Sequence, residues 1–204
     1  MNLEHYYYYF KKAIPERICD EIVAYGKSIL KERGRRGTVG DRQKKIKTIK
    51  DLKQVRDSNI AWLSDPWIYR EIHPFINEAN RKANWNFQWD YSEQTQFTKY
   101  GKNQHYDWHC DSFSKPYETN NELNGKVRKL SVTLNLTDPK SYSGGLLEFD
   151  FRNVKEGSVK QKCDQITEKG SLVVFPSFVW HRVTPVTKGT RYSLVMWNIG
   201  DPFK

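Results

Sequence analysis

Cysteine is scarce in this chain, which limits the kinds of site that the sequence can encode. Only three of its 204 residues are cysteines, namely Cys19, Cys110 and Cys163, and no two of them stand in Cys-x-x-Cys spacing. Neither a disulfide framework nor a cysteine-based zinc site is therefore indicated. A reducing compartment is the simplest setting for three scattered thiols, so we expect a cytoplasmic protein.

Long apolar segments and targeting signals are also missing. No apolar run approaches the roughly 18 residues that cross a bilayer. The residues Met1–Phe10 lack the order of basic, apolar and small residues that marks a secretory signal peptide. We therefore expect a soluble protein that is neither inserted in a membrane nor secreted.

Aromatic residues, by contrast, are plentiful. Seven tryptophans, twelve tyrosines and ten phenylalanines can build a sizeable core, although 28% of the residues are charged. The length suits one domain. We expect a single domain over residues 1–204, in which residues 1–84 form a helical support region and residues 85–200 form a β-rich core.

The positive charge is concentrated in one segment. Of the net charge of +10, most arises between Lys27 and Arg56, where twelve lysines and arginines face three acidic residues. Gly34, Gly37 and Gly40 indicate a flexible loop here and not a basic helix. Two interpretations of this basic loop remain open: a solvated segment without a partner, or attraction to an acidic peptide, an acidic substrate or nucleic acid.

Hydrophobic spacing predicts two helices followed by strands. The segment Pro15–Leu30 has apolar residues at helical intervals, and a second helix is predicted to begin at Ser64-Asp65-Pro66, with Pro74 as a point of kinking. Beyond residue 85 the pattern changes to short alternating runs that are typical of β-strands. The predicted strands are Trp85–Tyr91, Gln94–Tyr100, Lys129–Leu136, Leu146–Phe151, Leu172–Phe175, Val179–Val186 and Tyr192–Ile199.

Five histidines are available for a metal site, and one pair stands out. On an extended strand, His109 and Asp111 would share a face. His181 is the third candidate ligand, since two imidazoles and a carboxylate suit a non-haem ferrous ion with open positions. His105 and Asp107 have the same spacing, so the register of the pair stays open at this point.

An arginine, Arg191, stands ten residues after the third candidate ligand. If the turn-like residues 184–190 reverse the chain into a hairpin, Arg191 lies on the strand next to His181, with Ser193 and Trp197 on its own face. A guanidinium there could hold a carboxylate through two parallel hydrogen bonds.

Several short motifs between about Arg56 and Trp197 follow one another in a distinctive order and spacing. They are Arg56-Asp57-Ser58, Trp62-Leu63, Tyr100-Gly101, Tyr106 with His109-Cys110-Asp111, the run Arg128–Asp138, the run Gly144–Phe149, and His181 with Pro185, Gly189, Arg191 and Trp197. With these motifs the chain resembles the Fe(II)- and 2-oxoglutarate-dependent dioxygenases, and within them the prolyl 4-hydroxylase-like branch of PKHD-type hydroxylases.

The resemblance implies a fold and a set of roles. The fold would be a mainly β double-stranded β-helix, or jelly roll, with the N-terminal helices packed on its major sheet. Cofactors and co-substrates would be Fe(II), 2-oxoglutarate and O2, with L-ascorbate (vitamin C) as a further candidate. The implied residues are His109, Asp111 and His181 as catalytic metal ligands, Arg191, Tyr100, Ser193 and Asn135 around 2-oxoglutarate, and Trp197, Arg128 and Tyr106 toward the substrate. Asn135 departs from many relatives, which have a tyrosine there.

The implied reaction is hydroxylation of a prolyl residue in a peptide or protein, with release of succinate and CO2. The basic loop adds the expectation of an acidic substrate. The same chemistry on another residue, a small molecule or alkylated nucleic acid is the alternative. Nucleic acid is disfavoured, because Trp197 stands where such demethylases have a second arginine. A catalytically silent module that docks through the basic loop is a third hypothesis.

Overall fold

The computed structural model describes residues 5–39, 46–113, 115–153 and 157–203. Its described α-helices all lie in the first half of the chain: α1 (Glu16–Arg33), α2 (Ile49–Val55) and α3 (Pro66–Lys82). Among the described helices, none is long and apolar enough to cross a membrane.

Strands make up most of the remaining described structure. In chain order they are β1 (Tyr8–Phe10), β2 (Arg35–Arg36), β3 (Arg56–Asp57), β4 (Asn59–Leu63), β5 (Tyr91–Ser92), β6 (Thr95–Tyr100), β7 (His105–His109), β8 (Val127–Asn135), β9 (Tyr142–Gly144), β10 (Leu147–Asn153), β11 (Gly157–Lys162), β12 (Leu172–Pro176), β13 (Trp180–Val183), β14 (Val186–Gly189) and β15 (Arg191–Gly200).

Two antiparallel sheets face each other across a shared core. The larger sheet has the order β1-β12-β8-β15-β6-β4-β2, with β5 paired to β15, and the smaller sheet has the order β11-β10-β13-β7-β3. Tyr100 and Phe175 of the larger sheet pack with Phe149 and Val183 of the smaller one. This arrangement confirms the expected jelly roll, and the short β9–β14 ladder joins its two sheets at one end.

The larger sheet is apolar on one buried face and polar on the other. In β8, Leu130, Val132 and Leu134 pack in one cluster with the helices, whereas Ser131 and Asn135 alternate with them and are equally buried. Buried polar groups are costly unless they are paired. The polar inner face therefore indicates where a site lies between the sheets.

Helix α1 packs on the larger sheet through a narrow face. The predicted helix is confirmed, since Pro15 precedes the first residue and Ile18, Ile22 and Gly26 are buried against the sheet. The helix ends at Arg33, where the N–H of Gly34 donates to the carbonyl oxygen of Leu30 at 3.0 Å.

Gly26→Ala should destabilise the fold, although alanine favours helices. A Cβ at Gly26 would lie 2.5 Å from the ring of Phe97. Removing a mid-helix glycine gains about 0.5–1 kcal/mol, whereas overpacking a core costs about 1–3 kcal/mol, so we expect a net loss of stability in urea denaturation. Ala24→Gly, at an exposed position of the same helix, measures the helix-propensity effect alone. A Gly26→Ala protein as stable as the parent would contradict the tight packing of α1.

The second predicted helix is also confirmed. Helix α3 begins at Pro66 and continues through Pro74 to Lys82. Its buried residues Ile68, Ile72 and Ile76 recur every four positions, so one stripe faces the core.

Two local predictions were wrong. Within the basic loop, Ile49–Val55 is helical, because Thr48 and Asp51 form a capping box that satisfies the first backbone N–H groups; Gly40 lies outside the described residues. The predicted strand Trp85–Tyr91 contributes only Tyr91 to a strand. Asn84 and Asn86 adopt positive φ angles of 55° and 51°, which interrupt an extended chain.

Candidate metal centre and its cavity

A histidine and an aspartate that are close in the sequence meet a second histidine, 70 residues further along the chain, between the two sheets. His109 ends β7, Asp111 follows two residues later, and His181 of β13 lies opposite His109 in the antiparallel register. One ligand atom from each lies within 4.8 Å of the others. Asp111 Oδ1 is 3.8 Å from His109 Nε2, and Asp111 Oδ2 is 3.7 Å from His181 Nε2. This donor set can hold one metal ion.

Backbone carbonyls set the tautomer of both imidazoles. Nδ1 of His109 lies 2.7 Å from the carbonyl oxygen of Asp107, and Nδ1 of His181 lies 3.0 Å from that of Val179. Because a carbonyl oxygen only accepts hydrogen bonds, each Nδ1 carries the hydrogen. Each Nε2 faces Asp111, and in the neutral ring it has the lone pair that a ligating histidine requires.

Two serines hold Asp111 in place, one through its carboxylate and the other through its backbone. Ser131 Oγ donates to Asp111 Oδ2 at 2.7 Å, and the backbone N–H of Asp111 donates to the carbonyl oxygen of Ser177 at 2.8 Å. Burial alone would raise the pKa of Asp111, but His181 and His109 outweigh it and lower the pKa below its ordinary value. Asp111 is therefore ionised, as a metal ligand must be.

The imidazole of His109 is kept neutral by its surroundings. Burial and the neighbouring His181 lower the pKa of His109 well below 6.5. Tyr106 stacks on the imidazole with ring centroids 3.5 Å apart. A neutral imidazole has a free lone pair for a metal.

The alternative pair, His105 with Asp107, does not enter this group. The ring nitrogens of His105 lie 3.3 Å and 3.2 Å from the carbonyl oxygens of Asn103 and Gln54. Along β7, His105 precedes His109 by four residues, about 13 Å at the rise of a strand. The expectation that Asp111 itself lies on this strand was wrong, since β7 ends at His109 and the chain turns there.

Arg191 lies across the core from His181, and not on a neighbouring strand. Arg191 begins β15 of the larger sheet, whereas His181 belongs to the smaller one. The expected hairpin between them was wrong, because Val186–Gly189 forms β14, pairs with β9 and carries the chain between the sheets. Both side chains are nevertheless buried, with 2% and 5% of their surface exposed.

The guanidinium of Arg191 has polar neighbours but no counter-charge. Its Nη1 donates to Ser193 Oγ at 3.3 Å, and its centre lies 5.8 Å from the ring of Tyr100, the residue opposite Arg191 in the register. Among the described residues, Arg191 forms no ion pair with a carboxylate. Because a buried unpaired charge is costly, this position favours an anionic ligand.

The two other residues predicted near a co-substrate lie on the same inner face. Burial raises the pKa of Tyr100, and the nearby Arg56 and Arg191 oppose that rise. Asn135 is paired with Ser193 across the sheet. Its Nδ2 donates to the carbonyl oxygens of Thr137 and Thr167 at 3.0 and 2.7 Å, so only its Oδ1 remains for a further contact.

A cavity of about 620 Å³ opens beside the candidate ligands His109 and Asp111. Tyr106, Arg128 and Trp197, the three residues predicted to contact a substrate, all line it. Much of the remaining lining is aromatic or basic and comprises Arg56, Trp62, Phe113, Phe178 and Trp180. Such a cavity can enclose part of an organic ligand.

Arg128 is fixed in the cavity wall by partners that the sequence did not reveal. Its Nε and Nη2 donate to the two carboxylate oxygens of Glu93 at 2.7 and 2.6 Å. Tyr117 also donates to Glu93 at 2.8 Å, and the guanidinium lies 4.0 Å from the ring centre of Trp197. Arg128 is therefore already neutralised by Glu93, and its guanidinium packs against an aromatic ring of the same cavity wall.

Unpaired hydrogen-bond donors surround the same cavity. Arg56 Nη2, Trp62 Nε1 and Trp197 Nε1 are buried and have no hydrogen-bond partner among the described residues. All three residues line the cavity. Because buried donors are rarely left unpaired, these three favour a ligand that offers acceptor oxygens.

Comparison with known sequences gives a family match over the second half of the chain. Residues 95–198 match the 2OG-Fe(II) oxygenase superfamily. Relatives named PKHD-type hydroxylase YbiX, from Escherichia coli (strain K12 / DH10B) and Escherichia fergusonii, are 38% identical over 102 residues. The matched region is 50% of this chain and 40% of the length of each relative.

Solved structures share the fold. A prolyl-4-hydroxylase from Pseudomonas putida superposes with a TM-score of 0.63 at 19% identity and covers 96% of this chain and 92% of its own. A viral collagen prolyl hydroxylase from Paramecium Bursaria Chlorella virus-1 gives 0.63 at 15% identity and 97% of both chains. A Trichoplax adhaerens prolyl hydroxylase, solved with a hypoxia inducible factor peptide, gives 0.63 at 15% identity, 96% of this chain and 84% of its own.

The family match spans half of the chain and includes His109, Asp111, His181 and Arg191. In the structure, His109, Asp111 and His181 form a group that could hold a metal ion, and Arg191 is a buried cation on the facing sheet. The chain therefore belongs to the 2OG-Fe(II) oxygenase superfamily.

Proposed function

We propose that this chain is an Fe(II)- and 2-oxoglutarate-dependent dioxygenase that hydroxylates a prolyl residue in a peptide or protein, with release of succinate and CO2. The observation that carries the proposal is a His-Asp-His donor set within 4.8 Å, in the same core as a buried arginine without a carboxylate partner among the described residues. The donor set suits ferrous ion, and the arginine suits a dicarboxylic keto acid.

The roles of the metal ligands follow from their chemistry. His109 and His181 would bind through Nε2 and Asp111 through a carboxylate oxygen, on one side of the ion, so that exchangeable positions remain on the other side. Bound iron would supply the activation of dioxygen, with 2-oxoglutarate as the source of electrons. Ser131 and the carbonyls of Asp107 and Val179 keep the three donors aimed at a common point.

Arg191 is the proposed partner of the distal carboxylate of 2-oxoglutarate. The guanidinium can donate two parallel hydrogen bonds to a carboxylate, and Ser193 and Tyr100 add hydroxyl groups on the same inner face. A contact of Asn135 with the co-substrate stays a prediction, and so does the use of L-ascorbate.

Gly145→Ala should weaken 2-oxoglutarate binding through Arg191. Gly145 has a φ of +61°, and a Cβ there would lie 2.9 Å from both Arg191 Cδ and Val186 Cγ2. Since a 1 Å misplacement can cost roughly 100-fold, a displacement of a few tenths of an ångström should raise the KM for 2-oxoglutarate by about 3- to 30-fold. Gly157→Ala is the matched control, because Gly157 has a φ of +83° but no neighbour within 4 Å. An equal effect of both substitutions on KM would contradict the contact.

The cavity supports a polypeptide as the substrate. Peptide carbonyl oxygens are acceptors, and the unpaired N–H groups of Arg56, Trp62 and Trp197 are donors. Apolar side chains of the lining, among them Val55 and Phe178, give the cavity surface against which a pyrrolidine ring can pack. The peptide in the Trichoplax adhaerens structure belongs to that protein, and its presence there supports the choice by analogy of fold.

The test is oxidation of a peptide library. Metal-loaded protein is incubated with 2-oxoglutarate and a library of short peptides that contain proline. Mass spectrometry should detect a gain of one oxygen on proline, together with an equal amount of succinate. Succinate release without oxidation of any prolyl peptide would contradict the prolyl substrate and favour another residue, a small molecule or alkylated nucleic acid. Absence of succinate with every substrate would favour a catalytically silent binding module.

A further inference from the structure

A second concave surface lies outside the metal centre and is strongly basic. This depression of about 660 Å³ is bounded by the C-terminal half of α1, by β2 and by residues of β4, β6 and β15. We refer to it as the basic pocket. Its lining residues are Lys27, Leu30, Lys31, Gly34, Arg35, Arg36, Asn59, Lys99 and Tyr192, of which five are cationic and none is acidic.

Most of these charges have no counter-charge nearby. Arg36 pairs with Asp57 at 2.8 Å, but Lys27, Lys31, Arg35 and Lys99 form no ion pair within the described part of the chain. Lys27 and Lys31 stand four residues apart on one face of α1, a spacing at which like charges destabilise a helix. Binding of an anion would reduce the electrostatic repulsion among these cations.

The basic pocket and the cavity beside the metal centre are lined by neighbouring residues of one segment. Arg35 and Arg36 line the basic pocket, whereas Thr38 and Val39 of the same segment line the cavity. At the rise of an extended chain, Arg35 and Thr38 are separated by about 10 Å, the length of about three peptide residues. The guanidinium of Arg35 also lies 5.7 Å from the ring of Trp62, another residue of the cavity lining.

We propose that the basic pocket binds an acidic segment of the polypeptide substrate, a few residues away from the side chain that enters the cavity. This inference rests on the proposed function, since it assumes that the cavity receives a peptide. Lysine and arginine side chains bind glutamate and aspartate carboxylates through charge-assisted hydrogen bonds. A segment that leaves the cavity along residues 35–39 would meet four unpaired cations.

Nucleic acid fits the basic pocket less well. Proteins that bind single strands use free aromatic faces on which bases stack. The only aromatic ring in the described lining, that of Tyr192, is stacked on Phe97 with ring centroids 5.6 Å apart and lies 4.8 Å from Lys27 Nζ. Both neighbours restrict access to the ring, so the pocket offers charge without a stacking surface.

The test measures binding in the absence of turnover. Two fluorescent peptides, each with one proline followed by either four glutamates or four glutamines, are titrated with metal-free protein and followed by anisotropy. Lys27→Glu/Lys31→Glu reverses two exposed charges of the basic pocket. Lys11→Glu/Lys162→Glu reverses two exposed charges that line neither cavity.

The glutamate peptide should bind the parent protein about tenfold more tightly than the glutamine peptide at low salt, because several exposed ion pairs act together. This advantage should shrink as salt is raised. It should disappear in Lys27→Glu/Lys31→Glu and persist in the control, with unchanged thermal unfolding in both.

Two results would overturn the inference. One is equal affinity for the two peptides. The other is tighter binding of an oligothymidylate of similar length, lost in the same double variant, which would assign the pocket to nucleic acid. Failure of the proposed function can be recognised separately, because the titration needs neither iron nor catalysis. A strong preference for the glutamate peptide without prolyl oxidation would contradict the proposed reaction and still support the pocket as a site for acidic peptides.

Discussion

Replacing His109, Asp111 or His181 by alanine is expected to abolish iron-dependent turnover of 2-oxoglutarate. Each residue contributes one of three protein donors that lie within 4.8 Å of one another. Loss of a group that merely orients a ligand lowers metal affinity by about 10- to 100-fold, so loss of the ligand itself should exceed that range. Metal affinity is measured by anaerobic titration with Fe(II), and turnover by succinate release.

The matched control is His105→Ala, on the same strand. His105 contacts backbone carbonyls of Asn103 and Gln54 and lies outside the His-Asp-His group. Its replacement should leave both Fe(II) affinity and succinate release close to those of the parent protein. Loss of Fe(II) binding in His105→Ala, with binding retained in His109→Ala, would show that the metal binds at His105 and Asp107 and that our assignment to His109 and Asp111 is wrong.

The group of candidate metal ligands could be predicted from the sequence, but the choice between the two His-x-Asp pairs rested on resemblance and not on spacing. The structure separates the pairs through long-range contacts. His181 lies opposite His109 in the register of β13 and β7, and Ser131 of β8 reaches Asp111. Both partners come from strands that are far away in the sequence, and a local alternation pattern contains no information about them.

The two long helices, α1 and α3, were predictable because each has one apolar stripe, and several strands were predictable from alternation. Short elements were not, since their formation depends on individual side chains. The capping box of Thr48 and Asp51 was present in the sequence, but the neighbouring glycines suggested a loop. Glu93 was missed for another reason: it lies 35 residues before Arg128 in the chain, and only the folded sheet brings them together.

His181 and Arg191 were expected near each other and do lie in one core, although the hairpin predicted between them does not form. A hairpin would have placed them side by side, whereas β14 carries the chain across to the other sheet. The metal centre and the buried cation therefore occupy facing walls of the core. A dicarboxylic keto acid would have one group for each wall, namely its keto-acid end for a metal ion and its distal carboxylate for the guanidinium.

Arg191→Gln should strongly weaken the binding of 2-oxoglutarate while leaving Fe(II) binding intact. Each hydrogen bond to a charged group is worth about 1.5–3 kcal/mol, so loss of one or two such bonds should raise the Kd of 2-oxoglutarate tenfold or more. The Kd of 2-oxoglutarate for Arg191→Lys should lie between those of the parent protein and Arg191→Gln, because an ammonium keeps the charge but lacks the planar fork of the guanidinium. Fe(II) affinity should not change, since Arg191 is not among the three ligand candidates.

The control for this substitution is Arg182→Gln, which removes the same charge from a partly exposed arginine paired with Glu148. A second comparison uses 2-oxobutyrate, a keto acid without a distal carboxylate. Arg191→Gln should reduce the preference for 2-oxoglutarate over 2-oxobutyrate, because only the longer acid has a group for the guanidinium to hold. An unchanged preference, in a protein that still folds and binds Fe(II), would show that the distal carboxylate is held by another residue, and the buried charge of Arg191 would then need a different anion.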